Sequence, residues 1–183
     1  MTFEHLHDRV GGAGVPARQA EKAAQDLLKA TWAITGDLAE CPRPVDPFAI
    51  ARRLGLQVHV RKLEPDVSGM LAKRAGRDPE VYINASDSLN RQRFSCAHEI
   101  GHYDKRSTGR EDDNWGYIDR RGPAASLGTD PEEVYANRFA AALLMPEAVV
   151  KRLHGTIAPA AMAVELGVSL DAMKFRLENL GLR

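Results

Sequence analysis

The chain has 183 residues, of which 44% are apolar and 27% charged, and this length suits one domain with at most a small helical appendage. Lysine plus arginine and aspartate plus glutamate number 25 each, which excludes the overall basic charge of most nucleic-acid-binding proteins, so we expect no direct nucleic-acid partner. No apolar run reaches the length of a membrane span and the first residues lack a signal-peptide pattern, so we expect a cytoplasmic protein without membrane contact.

The first part of the chain predicts two helices after a short arm. Residues 1–15 are glycine-rich and aperiodic, which predicts a flexible N-terminal arm. From Pro16 onward apolar residues recur at helical spacing. Asp46 and Pro47 have the cap-then-proline order that begins a second helix, and Gly55 is placed to end it.

Three strands are predicted next. Apolar and polar residues alternate in LQVHVR (56–61), which is typical of a half-buried strand. VSGMLAKR (67–74) and EVYIN (80–84) flank the turn formers AGRDP (75–79), which predicts a hairpin. We therefore expect a small antiparallel sheet of three strands, with the 67–84 hairpin as the edge to which a peptide could add as a further strand.

The remaining chain is mostly helical, which makes the predicted fold class α+β. Residues 86–105 predict a helix, and 106–129 form an aperiodic stretch typical of a functional or mobile loop. Further helices begin at Asp130 and Pro146. The tail, 155–183, has a helix–turn–helix pattern and is predicted as a separate helical subdomain.

The helix over 86–105 carries the sequence HEIGH. His98 and His102 are four residues apart, so both imidazoles lie on one helix face and can bind one metal ion. Glu99 beside them is placed as the general base of an HExxH arrangement, and Gly101 is expected to leave that surface open. A helix that carries two histidines by chance would show the same spacing.

A catalytic zinc site needs a third protein ligand, and the best carboxylates lie in DPEEVYANRFAAALLMP (130–146). Glu133 could bind the metal, with Asn137 one turn later accepting a hydrogen bond from a ligating histidine. Glu133 could equally complete a capping box with Asp130. Glu132 is the rival ligand, and because it points about 100° away on the helix, only one of the two glutamates can serve.

The order of two motifs resembles the ImmA/IrrE family of metallopeptidases. RQRFSCAHEIGHY (91–103) is followed by EEVYANRFAAALLMP (132–146), and VDPFAIARRLGLQVHV (45–60) and VSLDAMKFRLENLGL (168–182) are similar to the family's flanking segments. The resemblance implies that 16–154 is a mostly helical, zincin-like metallopeptidase domain.

The resemblance also implies roles for individual residues. His98, His102 and Glu133 would bind Zn²⁺ and Glu99 would act as the base, which favours Glu133 over Glu132. The same donor set also suits manganese or iron. The donor that stabilises the oxyanion is left open among three residues, which are Tyr103, Tyr117 and His154.

The family implies a zinc-dependent endopeptidase of narrow specificity whose substrate and partner is a helix-turn-helix repressor, an antitoxin or a similar regulator protein. The alternative is a non-proteolytic regulator or toxin–antitoxin partner that retains a metal site. A third possibility is DNA binding through residues 157–183. The second helix of that tail argues against it, because Asp171 and Glu178 accompany its basic residues.

Overall fold

The computed structural model describes residues 14–32, 37–107, 117–120 and 130–182. The elements in chain order are α1 (Gly14–Trp32), a 3-10 turn (Leu38–Glu40), α2 (Pro47–Arg53), β1 (Gln57–Arg61), β2 (Gly69–Lys73), β3 (Glu80–Asn84), α3 (Leu89–Ser107), β4 (Tyr117–Arg120), α4 (Pro131–Leu144), α5 (Glu147–Leu153), α6 (Pro159–Leu166) and α7 (Leu170–Asn179). The predicted α+β class with mainly helical content is confirmed. The flexible arm predicted for 1–15 lies almost entirely outside the described residues, and α1 begins at Gly14.

Helix starts follow local hydrogen-bonding chemistry. Asp46 Oδ1 accepts hydrogen bonds from the backbone N–H groups of Phe48 (2.9 Å) and Ala49 (3.2 Å), which satisfies two donors that the first turn of α2 leaves open. Asp130 and Ser169 cap α4 and α7 in the same way. The helix starts predicted at Asp46 and Asp130 are therefore found, each with the aspartate as its cap.

The sheet differs from the prediction in strand number and direction. Its order is β1-β3-β2-β4, with β1 parallel to β3 and the other two pairs antiparallel. The expectation of three antiparallel strands was wrong because alternation reports which face of a strand is buried, not the direction of its neighbour. The fourth strand, β4, lies within the stretch 106–129 that was predicted as a loop; residues 108–116 and 121–129 lie outside the described part of the chain.

The strand order also removes the predicted peptide-binding edge. β3 is paired on one side with β1 and on the other with β2, while β2 is paired with β3 and β4. Both strands of the 67–84 hairpin are therefore interior. The two outer strands of the described sheet are β1 and β4.

The core surrounds α3, which packs against the sheet and α4, and it includes buried side chains of α1, α2, α5, α6 and α7. Its largest fully buried side chains include Leu71, Ile83, Ile100, Phe139 and Leu143. Gly101 lets α3 and α4 approach closely, because a Cβ there would lie 3.0 Å from the Ala136 Cα. The expectation that Gly101 leaves an open surface was wrong, since α4 fills that space.

Two buried arginines attach the tail helices to the rest of the fold. Arg93 of α3 donates hydrogen bonds to the carbonyls of Gly167 (Nε, 3.0 Å) and Val45 (Nη2, 2.7 Å). Arg176 of α7 donates to both carboxylate oxygens of Glu21 on α1, at 2.9 and 2.7 Å. These contacts tie the tail pair to α1 and α3, while the subdomain boundary at residue 155 stays a prediction. Within the described ranges, no helix combines the length and apolarity that crossing a membrane requires.

Candidate metal centre

Two adjacent helices bring three predicted ligands together. α3 supplies His98 and His102, α4 supplies Glu133, and their donor atoms all lie within 4.8 Å of one another. The two Nε2 atoms are 2.9 Å apart, and Glu133 Oε1 and Oε2 lie 3.0 Å from His102 Nε2 and 3.4 Å from His98 Nε2. All three side chains are buried, so the donor atoms converge on one enclosed point.

His98 is oriented through its other ring nitrogen. Its Nδ1 lies 3.0 Å from Asn137 Oδ1 on α4. With this amide oxygen as the acceptor, Nδ1 carries the hydrogen and the lone pair of Nε2 is directed into the cluster. Asn137 thus lies where the sequence predicts an orienting partner for a ligating histidine.

Glu132 lies behind His102 rather than among the converging donor atoms. Its Oε1 is 3.2 Å from His102 Nδ1 and also accepts a hydrogen bond from Arg106 Nε. The interpretation of Glu132 as the rival ligand is therefore not supported by this geometry. The capping alternative for Glu133 is not supported either, because Asp130 caps α4 through the N–H of Glu132 while the Glu133 carboxylate faces the histidines.

The electrostatics of the cluster suit a cation. Burial of Glu133 acts to raise the pKa of its carboxyl group, but the close approach of the His102 and His98 imidazoles outweighs this and holds that pKa well below its usual range. The carboxylate is therefore anionic at neutral pH, and its buried Oε2 has no hydrogen-bond partner among the described residues.

The two imidazoles add to this argument. Lone pairs on nitrogens 2.9 Å apart repel one another unless a proton or a cation lies between them. Two imidazoles and one carboxylate form the donor set that zinc takes in catalytic sites, where a fourth position is left for water or substrate. The cluster of His98, His102 and Glu133 therefore fits a divalent metal ion.

Glu99 is held between α3 and the sheet. It is 1% exposed, and a Cβ added at Gly69, the first residue of β2, would lie 2.7 Å from Glu99 Oε1. A side chain at position 69 would force this carboxylate to move, because a Cβ contact under 3.0 Å forces a shift. Gly69 therefore sets where the Glu99 carboxylate can lie.

The three candidate oxyanion donors lie in different places. Tyr103 follows His102 on α3 and packs against the apolar core. His154 ends α5, and Tyr117 begins β4, whose side chains are outside what the structure describes. The choice among the three stays a prediction.

Arg106 and Gly69 contact residues of the site, Glu132 and Glu99 respectively, but were not identified from the sequence. Arg106 is one helical turn after His102, so helical spacing alone could have placed it on the same face of α3. Gly69 gave no such signal, because its importance comes from the approach of Glu99 across the fold.

The fold and the convergent donor set define a metallopeptidase-like protein. Residues 51–178 match the family model of M78 peptidases, described as the IrrE N-terminal-like domain. The match covers well over half of the chain and includes both helices of the cluster, so the chain belongs to this family and the predicted resemblance is confirmed. A search of curated proteins gave no match.

Proposed function

We propose that the protein is a zinc-dependent endopeptidase of narrow specificity, and that its substrate is a helix-turn-helix repressor or a similar regulator protein. The observation that carries the enzymatic part is the convergence of His98 Nε2, His102 Nε2 and the Glu133 carboxylate in one buried cluster. The regulator substrate is supported by the family resemblance.

His98, His102 and Glu133 would hold the metal. Bound zinc supplies Lewis-acid polarisation of a carbonyl and lowers the pKa of water towards 7. Asn137 holds His98 in the tautomer whose Nε2 faces the cluster, at a distance of 3.0 Å between Asn137 Oδ1 and His98 Nδ1.

Glu99 is assigned to proton transfer in this proposal. Its carboxylate takes a proton from the water that attacks the peptide carbonyl and then delivers it to the nitrogen of the leaving amine. The peptide C–N bond breaks, and a carboxylate and an amine are formed. The burial of Glu99 against Gly69 supports this role, because the carboxylate is confined in position and shielded from bulk solvent.

The first experiment measures metal content by elemental analysis after purification in metal-replete medium. We expect about one zinc per chain in the wild type. His98→Ala and Glu133→Ala should lose it, whereas Glu147→Ala, which removes a carboxylate from the first turn of α5, should keep it. A wild-type protein without stoichiometric metal would contradict the proposal and favour the non-proteolytic regulator.

The second experiment tests cleavage. A proteome-derived peptide library and purified helix-turn-helix repressors are incubated with the zinc-loaded protein, and new termini are identified by mass spectrometry. We expect few cleavage sites, all lost in Glu99→Gln while its zinc content is unchanged. Full cleavage by Glu99→Gln would exclude it as the base, and cleavage of many unrelated sequences would exclude narrow specificity.

A further inference from the structure

We propose that Glu132 and Arg106 act together as a positioning pair for His102, with Glu132 holding the imidazole through Nδ1 and Arg106 holding Glu132. This inference rests on the proposed metal site, but not on the protein's being a peptidase. It assigns Glu132 a role distinct from that of its neighbour Glu133.

The contacts form a short chain across α3 and α4. Arg106 Nε donates to Glu132 Oε1, and the same oxygen lies 3.2 Å from His102 Nδ1. An ionised carboxylate only accepts hydrogen bonds, so Nδ1 must carry the hydrogen. Nε2, the nitrogen that faces Glu133 at 3.0 Å, is then left with a lone pair for the metal.

The two histidines are therefore supported by different chemistry. His98 has a neutral amide behind it, that of Asn137, whereas His102 has a carboxylate. A carboxylate behind an imidazole makes it a more basic ligand than an amide does. Arg106 offsets the charge that Glu132 adds beside Glu133, so the carboxylate can stay close without excessive repulsion.

An ordinary structural role for Glu132 makes different predictions. An acid in the first turn of a helix is favoured by the helix dipole, and the side chains of Arg106 and Glu132 are 26% and 30% exposed, as in many surface ion pairs. Such pairs contribute little to stability, typically about 0–1 kcal/mol. A purely structural Glu132 would thus leave metal affinity and the His102 ring unchanged.

The chain offers a matched control at Glu147. Glu147 is also an acid in the first turn of a helix, its side chain is 35% exposed, and it pairs with Lys151 one turn later. Glu147→Ala removes the same kind of helix-dipole contact and ion pair as Glu132→Ala. It differs in having no contact with a histidine of the cluster.

The test measures zinc affinity by chelator competition. Glu132→Ala is expected to weaken binding by about 10- to 100-fold, the usual cost of losing the partner of a ligating histidine. Glu147→Ala should bind as the wild type does. Arg106→Gln should weaken binding less than Glu132→Ala, and should have no further effect in the Glu132→Ala background, because the two residues act through one contact.

A spectroscopic readout isolates His102. In the zinc-loaded wild type, proton NMR with ¹⁵N-labelled histidine should show protected ring N–H signals for His98 and His102. Glu132→Ala should lose the His102 signal and keep that of His98, while Asn137→Ala should do the reverse. Glu132→Gln keeps a carbonyl acceptor and should restore the signal, with an affinity between those of the wild type and Glu132→Ala.

Equal zinc affinity in Glu132→Ala and the wild type, with the His102 signal intact, would overturn the inference. If Glu132→Ala fails to fold, Glu132→Gln and Arg106→Gln carry the same test. Zinc binding without any cleavage would refute the peptidase proposal and leave this inference standing. Normal cleavage, together with unchanged zinc affinity in Glu132→Ala, would support the peptidase proposal and refute this inference.

Discussion

The two ends of α3 both bury polar side chains, but these differ in how they are satisfied. Near the start of the helix, Arg93 donates to the carbonyls of Val45 and Gly167. Further along, His98 and His102 direct Nε2 atoms towards a carboxylate whose Oε2 has no hydrogen-bond partner within the described chain.

This difference separates structural polar groups from functional ones. A buried polar atom left without a partner costs about 1–3 kcal/mol, whereas a satisfied one holds two segments together. The Arg93 end of α3 therefore contributes to stability, and the histidine end carries a cost that a bound cation would remove. Burial of a polar residue alone does not indicate a site; convergent lone pairs on neighbouring atoms do.

Paired substitutions at the two ends should have opposite effects. Arg93→Met removes the hydrogen bonds to the carbonyls of Val45, Leu166 and Gly167. It should lower the free energy of unfolding of the metal-free protein by about 2–4 kcal/mol, with zinc affinity unchanged. Glu133→Ala should leave metal-free stability within about 1 kcal/mol. It should weaken zinc binding about 100-fold or more, because one of three protein ligands is lost.

Urea unfolding with excess chelator gives the stability values, and chelator competition gives the zinc affinities. The comparison fails if Arg93→Met weakens zinc binding as much as Glu133→Ala does. It also fails if metal-free Glu133→Ala is as unstable as Arg93→Met, since the cluster would then be a structural network like that of Arg93.

Substitution of Gly69 tests whether the position of Glu99 can be changed without changing metal binding by the histidines of α3. In Gly69→Ala the new Cβ would meet Glu99 Oε1 at 2.7 Å, so the carboxylate must move. We expect the cleavage rate to fall about 100-fold, the cost of misplacing a reacting group by about 1 Å, with stoichiometric zinc retained. The measurements are kcat on an identified substrate and elemental analysis.

Gly76→Ala is the control for this substitution. Gly76 lies in the β2–β3 turn with a φ of 68°, and a Cβ there would meet no atom within 4 Å. Gly76→Ala should lower stability through backbone strain and leave kcat unchanged. Unchanged kcat in Gly69→Ala would mean that the position of Glu99 is not set by β2.

Local chemistry explains what the sequence predicted well. Asp46, Asp130 and Ser169 cap helices by accepting hydrogen bonds from backbone N–H groups two or three residues later, so no distant contact is needed to recognise them. The spacing of His98 and His102 likewise places both rings on one face of a helix of any fold. Such features depend only on residues within one turn of each other.

What the sequence could not predict depends on contacts between distant segments. The direction of β1 relative to β3 has no local signature, and neither does the space that Gly69 leaves for Glu99. Helical geometry shows that Glu132 and Glu133 diverge, but it does not show which of them faces the metal side of His102. Only the packing of α4 on α3 determines that.

Substitution of Tyr135 should have the smallest effect of those considered. It tests whether a polar contact near the histidines of α3 affects zinc binding even though its hydrogen bond is satisfied. Its hydroxyl donates to Asp104 Oδ2 at 2.6 Å, and Asp104 lies on α3 just beyond His102. This contact is close to the cluster in sequence but is satisfied, as the contacts of Arg93 are. Tyr135→Phe should therefore lower stability by about 1–2 kcal/mol at neutral pH and leave zinc affinity unchanged.

The pH dependence of that difference sharpens the test. Burial, and then the hydrogen bond to Asp104, raise the pKa of Tyr135 above that of an unfolded tyrosine, which is about 10. Stabilisation by the hydroxyl is therefore fully present below about pH 10. It is lost as the pH rises further, because the unfolded state ionises first. Urea unfolding between neutral pH and pH 11 should show the wild type and Tyr135→Phe converging, and a constant difference would mean that the folded state does not favour the un-ionised Tyr135 hydroxyl.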